Sequence, residues 1–205
     1  MKDQKDMLIY ERKYIQDGCN YIAGMDEAGR GPLAGPVSCA CAIMPLEEDR
    51  IIPGIDDSKK LSPRKRDELY DKIINTAFAY KVVFINEQTI DKINILQATK
   101  KGMNEAYKGL SVNPDALLID ALKLPIKNSE GIIKGDSKSY SIACASILAK
   151  VARDRYITEI SQKYPEYKFE KNKGYGTREH IEALKKYGKC PIHRNTFIKH
   201  FVSNE

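Results

Sequence analysis

Four acidic residues stand where apolar runs stop. Asp26 and Glu27 close the run Asn20–Met25, Asp120 closes Ala116–Ile119, and Asp136 follows the brief run Ile132–Ile133. Sites in open α/β sheets form outside strand ends, where loops expose functional groups. Four carboxylates gathered there would repel one another, so protons or cations must neutralise them. Hard oxygen ligands suit Mg²⁺ or Mn²⁺. Two such ions would offset four negative charges, activate water and stabilise the leaving oxygen of a phosphodiester. Singly, each acid reads equally well as a turn residue. Successive residues on a strand point to opposite faces. Asp26 and Glu27 therefore share one site only if the strand breaks there, and the glycine-rich stretch from Ala28 supplies the break.

That stretch, AGRGPLAGP, is a tight irregular loop. Glycines let backbone groups approach a ligand closely, and Arg30 adds a planar cationic fork for phosphate. A ribose 2′-hydroxyl is both donor and acceptor, so fixed backbone groups can read it. The alternative is a structural turn in which Arg30 pairs with an acid of the cluster. Ser58, Lys59 and Lys60 (DSKKL) are candidates to touch duplex phosphates, or a plain polar loop. Most aromatics of the C-terminal quarter read as core, but Tyr175, between two glycines, is free to reach out. His180, His193 and His200 lie far from the acidic motifs, and surface or core roles suit them better than acid–base catalysis. Cys39 and Cys41 read as packing residues, and Cys190 has no base to activate it.

The elements that must carry these groups follow from pattern. Residues 1–18 are polar, a short helix or loose arm. Strands are expected at Asn20–Met25, Val37–Met44, Tyr80–Ile85, Ala116–Ile119 and Ile132–Ile133. Helices are expected from Ser62-Pro63, over Asn94–Leu110, over the small-residue run Ser139–Ser161, and over Thr177–Tyr187 ending at Gly188. A strand meander followed by alternating strands and helices is an α/β layered fold with a mixed sheet. The 205 residues suffice for one domain with its own core, and 42% hydrophobic against 30% charged residues excludes a disordered chain. The expected division is an N-terminal arm (1–18), a catalytic domain (19–161) and a basic helical segment packed on it (162–205). Residues 150–205 carry 13 Lys and Arg against 7 Asp and Glu, while the rest is balanced. Such a surface suits a polyanion. No apolar run approaches a membrane span, and MKDQKDMLIYERK lacks a signal-peptide stretch. The five cysteines form no CxxC pair. A cytoplasmic monomer without membrane contact is expected.

Several segments together resemble the ribonuclease HII family. YIAGMDEAGRGPLAGPV is similar to its first motif, DDSKKLSPRKRDELY to its second, and LLIDAL to the strand bearing its third carboxylate. GDSKSYSIACASILAKVARDRYI resembles the segment that begins with the fourth carboxylate, and NKGYGTREHIEALKKYGKCPIHRNTF its C-terminal signature. The likeness spans about residues 19–200. It implies a ribonuclease H-like fold, cleavage of the RNA strand of RNA/DNA hybrids, and nicking 5′ to single ribonucleotides embedded in duplex DNA. In-line attack of water would leave 3′-hydroxyl and 5′-phosphate ends. The cellular role implied is removal of misincorporated ribonucleotides and RNA primers.

By the same resemblance Asp26, Glu27, Asp120 and Asp136 form the metal-binding catalytic set for two Mg²⁺ or Mn²⁺ ions. Asp26 and Asp120 would flank both ions, with Glu27 and Asp136 completing one each or orienting water. Gly29, Arg30 and Gly31 would recognise the 2′-hydroxyl, and Tyr175 would pack on the next sugar so that a hydroxyl there is disfavoured. The chain departs from the family at Asn172, where His usually precedes Lys-Gly-Tyr; a supporting or substrate contact is at stake there, not the carboxylates. The sister family, ribonuclease HIII, carries a large extra N-terminal domain that eighteen leading residues could not form. Two competing readings are a nuclease restricted to RNA/DNA hybrids and a non-catalytic nucleic-acid binder. The second predicts a missing carboxylate, and all four are present.

Overall fold

A computed structural model describes residues 6–202. Helix α1 (Ile9–Gln16) leads into strands β1 (Ile22–Ala28) and β2 (Val37–Ile43), helix α2 (Pro63–Thr76) and strand β3 (Ala79–Ile85). Helix α3 (Glu87–Lys108), strands β4 (Ala116–Asp120) and β5 (Ser129–Ile132), and helix α4 (Tyr140–Ser161) follow. Short helices α5 (Phe169–Asn172), α6 (Arg178–Tyr187) and α7 (Asn195–Ile198) complete the chain. The sheet has the order β3-β2-β1-β4-β5. β1, β2 and β3 form the expected antiparallel meander, and β4 and β5 run parallel to β1. It is the mixed α/β sheet flanked by helices that the sequence predicts.

The two faces of the sheet differ in what covers them. Ala23, Met25, Leu117 and Ile119 pack with α3 residues such as Ala98, Met103 and Ala106. Ala40 and Ala42 pack on the other face with Cys144, Ala145 and Leu148 of α4 and with Leu69 and Ile73 of α2. The small-residue run of α4 lets the helix lie almost on the strand. A Cβ added at Gly24 would come within 2.0 Å of the Ser141 carbonyl carbon. The helices start where the cap chemistry places them. Ser62, Ser139 and Thr177 each accept a hydrogen bond from a backbone N–H three residues on.

Two expectations need correction. β1 does not stop at Asp26; its ladder with β2 continues to Ala28 opposite Ser38. α3 begins at Glu87, earlier than Asn94, and kinks there: Asn94 has φ 65° and its side chain recaps the helix by accepting from the Gln97 N–H. Of the two readings of the leading segment, its described part takes the helical one. Glu11 is fully buried and its Oε1 accepts from the Ser139 hydroxyl (2.6 Å) and the Ser141 N–H (2.9 Å), capping the start of α4. Residues 1–5 of the expected arm lie outside the described residues. Phe169, Leu184, Ile192 and Ile198 of the C-terminal segment close around Leu33 and Ala34.

Candidate active site

Parallel register brings the first two acids together. Met25 lies opposite Ile119 in the β1–β4 ladder, so Asp26 and Asp120 follow at the carboxyl ends of adjacent strands. Their parity matches Gly24 and Leu118, on the α4 face. β5 then runs into a turn of 3₁₀ helix, Gly135–Ser137, that delivers Asp136. The Gly135 N–H donates to Asp120 Oδ1 at 2.7 Å and ties the two segments. One carboxylate oxygen from each of Asp26, Asp120 and Asp136 lies within 4.8 Å of the others. Asp26 and Asp136 are only 4% and 5% exposed.

Glu27 does not join that trio. β1 stays regular through Ala28, so the expected break in the strand is absent; Glu27 is registered opposite Cys39, and the charges of Asp120 and Lys59 are felt at its carboxyl. The charge is still felt at the site. Burial, then the charges of Glu27 and Asp120, push the Asp26 carboxyl well up from its ordinary value, against a hydrogen bond from Ser146. Burial likewise raises Asp120, opposed by the Gly135 N–H. Burial raises Glu27 too, opposed by Arg30. Arg30 Nη1 lies 3.3 Å from Glu27 Oε1, the pairing with an acid that the sequence left open. The other oxygen, Glu27 Oε2, is buried with no hydrogen-bond partner. Three clustered carboxylates and one orphaned carboxylate oxygen are the donor chemistry a hard divalent cation satisfies. The residues present fit such an ion.

The DSKKL loop divides its labour differently from expectation. Lys59 reaches the site, with Nζ 3.2 Å from Asp136 Oδ2. Lys60 instead pairs with Asp56 at 3.1 Å, an exposed contact within the loop. Ser58 is 3% exposed and shares a 2.9 Å hydrogen bond with Ser146, so its hydroxyl is turned inward, away from any duplex. A polar chain Ser58–Ser146–Asp26 results. Ser146 escaped the sequence reading because it sits inside a run of small residues that packing alone explains.

The glycine-rich loop is held from beneath by two buried arginines that the sequence did not single out. Arg153 of α4 donates to the carbonyls of Ala34, Pro36 and Lys173. Arg194 donates to those of Gly29, Arg30 and Gly35. Both side chains are fully buried, and Glu87 at the start of α3 is the nearby countercharge. Gly29 has φ +91°, and a Cβ there would fall 2.0 Å from Arg153 Nε, so only glycine fits above the guanidinium. Their sequence context, basic residues in a lysine-rich quarter, resembles a solvated surface.

The same scaffold seats Tyr175. The Leu33 N–H donates to the Gly174 carbonyl at 2.8 Å, joining the two glycine loops. The Tyr175 ring, 43% exposed, stands next to Gly31; a Cβ there would be 3.8 Å from Tyr175 Cε1. Asn172 is nearly buried; its Oδ1 accepts from the Gly174 N–H and its Nδ2 donates to the Tyr167 carbonyl. The departure at position 172 thus falls on a residue that braces the Tyr175 loop from within. His180 and His193 are buried, the core alternative of the two left open for them, and Cys39 and Cys41 pack in the core. All five cysteines are unpaired.

A mixed sheet between helices, with an acidic pocket at the carboxyl ends of parallel strands, is the layout of a ribonuclease H-type hydrolase. Residues 23–201 match the family model described as Ribonuclease HII. The chain is 53% identical over 205 residues to ribonuclease HII of Caldicellulosiruptor bescii, covering 99% of this chain and 98% of that protein. It is 54% identical over 199 residues to ribonuclease HII of Acetivibrio thermocellus, covering 96% of this chain and 77% of that protein. The crystal structure of ribonuclease H2 from Pyrococcus horikoshii superposes with a TM-score of 0.73 at 30% identity, over 86% of this chain and 93% of that one. The chain belongs to the ribonuclease HII family and is an endoribonuclease hydrolase.

Proposed function

We propose that this chain cleaves the RNA strand of RNA/DNA hybrids and nicks duplex DNA on the 5′ side of a single embedded ribonucleotide, leaving 3′-hydroxyl and 5′-phosphate ends. The observation that carries this reading is the union of the two glycine loops. Arg194 consumes the carbonyls of Gly29 and Arg30 from the inner side, while Tyr175 stands exposed beside Gly31. That leaves backbone N–H groups of Gly29, Arg30 and Gly31 to read a 2′-hydroxyl, with an aromatic plane one sugar away that favours deoxyribose.

Asp26, Asp120 and Asp136 would hold Mg²⁺ or Mn²⁺, with Glu27 contributing through its orphaned oxygen. Two such ions, when bound, supply Lewis-acid activation of water and charge neutralisation at the phosphate. The chain's own part is to hold the donors in place. Ser146 orients Asp26, the Gly135 N–H orients Asp120, and Lys59 pairs with Asp136 and offers a cation to the neighbouring phosphate. Lys59 is the DSKKL residue supported as a substrate contact; the inward turn of Ser58 and the Asp56 pairing of Lys60 argue against those two. A lysine- and arginine-rich C-terminal quarter supports gripping of the duplex backbone. Five unpaired cysteines suit a reducing, cytoplasmic setting, and removal of misincorporated ribonucleotides and RNA primers is the role that fits.

The test is a nicking assay in Mg²⁺ or Mn²⁺ with three duplexes: all DNA, DNA with one ribonucleotide, and a uniform RNA/DNA hybrid. Cutting of the second and third but not the first is expected. Cutting of the hybrid alone would replace this reading with a hybrid-only nuclease.

A further inference from the structure

The histidine pair is the strongest feature that the chemistry above leaves unused. His180 Nε2 and His193 Nε2 face each other at 3.0 Å, and the two rings are 0% and 2% exposed. The shorter hydrogen bonds around them assign one direction. The Cys190 N–H donates to His193 Nδ1 at 2.9 Å, nearer than the Cys190 carbonyl at 3.3 Å, which makes that nitrogen an acceptor and assigns the proton of a neutral ring to Nε2. His193 Nε2–H then donates to His180 Nε2. The His180 proton is thereby placed on Nδ1, which donates to the Tyr175 carbonyl at 2.9 Å. The chain of contacts begins at a backbone amide and ends on the backbone of the exposed tyrosine.

We infer that the His180–His193 pair is a positioning element for Tyr175, and that it sets how strongly the enzyme prefers deoxyribose over ribose at the sugar following the cleaved junction. The inference rests on the Tyr175 role proposed above. The Tyr175 carbonyl also accepts from the Thr177 N–H at 2.8 Å, and the Tyr175 N–H donates to the Asn172 carbonyl at 2.9 Å. The backbone of this residue is therefore pinned from both sides, while its ring stays free on the surface.

The array works only with both rings neutral. A proton added to His180 Nε2 would set N–H against N–H at the 3.0 Å contact. Moving the His193 proton to Nδ1 would relieve that clash only by setting it against the Cys190 N–H. The surroundings oppose protonation as well. Burial, then the charge of His180, lowers His193 to about 4, and burial lowers His180. Tyr167 and Phe169 pack on both rings, the Tyr167 hydroxyl being committed to the Gly188 carbonyl. The Cys190 thiol, 3.1 Å from His193 Nδ1, is raised by burial to about 11 and stays neutral. Glu166 and Glu87 are the acids whose charge is felt at Cys190, and Arg194 is the adjacent cation.

Two measurements test the inference. Side-chain ¹H–¹⁵N spectra of the wild-type protein near neutral pH should show His193 as the Nε2–H tautomer and His180 as the Nδ1–H tautomer. An imidazolium signature or the reverse tautomers would overturn it. The second measurement is a ratio of kcat/KM on two DNA duplexes, one with a single ribonucleotide and one with ribose also at the following position. His180→Phe fills the space but withdraws the donor, and His193→Gln withdraws the relay. Each should reduce the ratio by about tenfold, the scale of one lost hydrogen bond. A merely structural role would lower both rates alike and leave the ratio unchanged, which overturns the inference. Tyr175→Ala is the control. If it lowers the ratio and the histidine variants do not, the relay is wrong and the Tyr175 role stands; if it leaves the ratio unchanged, the Tyr175 role and the inference both fall.

Discussion

Removing a charge from the acidic pocket should stabilise the ion-free protein while abolishing its activity. Asp26→Asn is the sharpest perturbation, because Asp26 is 4% exposed and burial pushes its carboxyl well up. Carboxylate oxygens within 4.8 Å of one another repel by about 3.5 kcal/mol per pair at an effective dielectric of 20, and by about 0.9 kcal/mol at the value of water. The asparagine keeps an acceptor for the Glu27 N–H, which donates to Asp26 Oδ1 at 2.7 Å, and a partner for Ser146. Solvent at the partly exposed Asp120 screens the repulsion and caps the relief. The net gain should therefore be about 1–3 kcal/mol, or several degrees in Tm for a chain of this length. The sign with pH follows from linkage. An acid whose folded pKa is raised costs stability in full above that pKa, and the cost fades as pH falls toward the ordinary carboxylate value. Wild type should thus gain relative stability on mild acidification, and the variant should lack that slope. Urea unfolding in a chelator, repeated with excess Mg²⁺, gives the comparison. Mg²⁺ should stabilise wild type more than the variant. A variant no more stable than wild type in chelator, or one that still cleaves at the wild-type rate, would refute the reasoning.

Arg194→Lys should destabilise the protein by roughly 2–5 kcal/mol, because an ammonium cannot serve the carbonyls of Gly29, Arg30 and Gly35 together. Chemical denaturation reads the loss, and KM for a ribonucleotide-containing duplex should rise with it. Glu11→Gln should change stability by less than about 1 kcal/mol, since it keeps an acceptor for the Ser139 hydroxyl and Ser141 N–H; Glu11→Leu should cost about 1–3 kcal/mol by orphaning both. Melting temperatures of the two variants distinguish a capping contact from simple burial. His193, held down at about 4 by burial and by His180, contributes stability that is present above pH 6.5 and is lost as pH falls toward 4. The acid limb of a stability–pH curve should be shallower in His193→Gln.

Much of the fold is legible because its signals are local. Ser62, Ser139 and Thr177 announce helix starts by their own hydroxyls, and the apolar runs at Val37 and Ala116 announce strands. Asn94 shows the limit of such signals. It reads as a helix start and does cap one, but tertiary packing of Glu87 and Ile90 extends the helical chain ahead of it. The candidate site is legible to the same degree. Asp120 ends β4 as the pattern indicates, and Asp26 and Asp136 lie close to it. The strand break expected after Asp26 does not occur, because continuation of a strand depends on its neighbour, and β2 keeps pairing to Ala28.

The sequence by itself determined the residue chemistry: acids at strand ends, a glycine loop with one arginine, and a tyrosine between glycines. Those features are local in the chain, and side-chain type and spacing suffice to specify them. Which groups meet was decided only by the tertiary structure. Parity along β1 and β4 puts Asp26 beside Asp120. Burial turns Arg153 and Arg194 from surface cations into the floor of the glycine-rich loop, and brings two histidines into hydrogen-bond contact. Burial and contact are properties of positions distant in sequence, and a side chain's charge, tautomer and partners follow from what surrounds it.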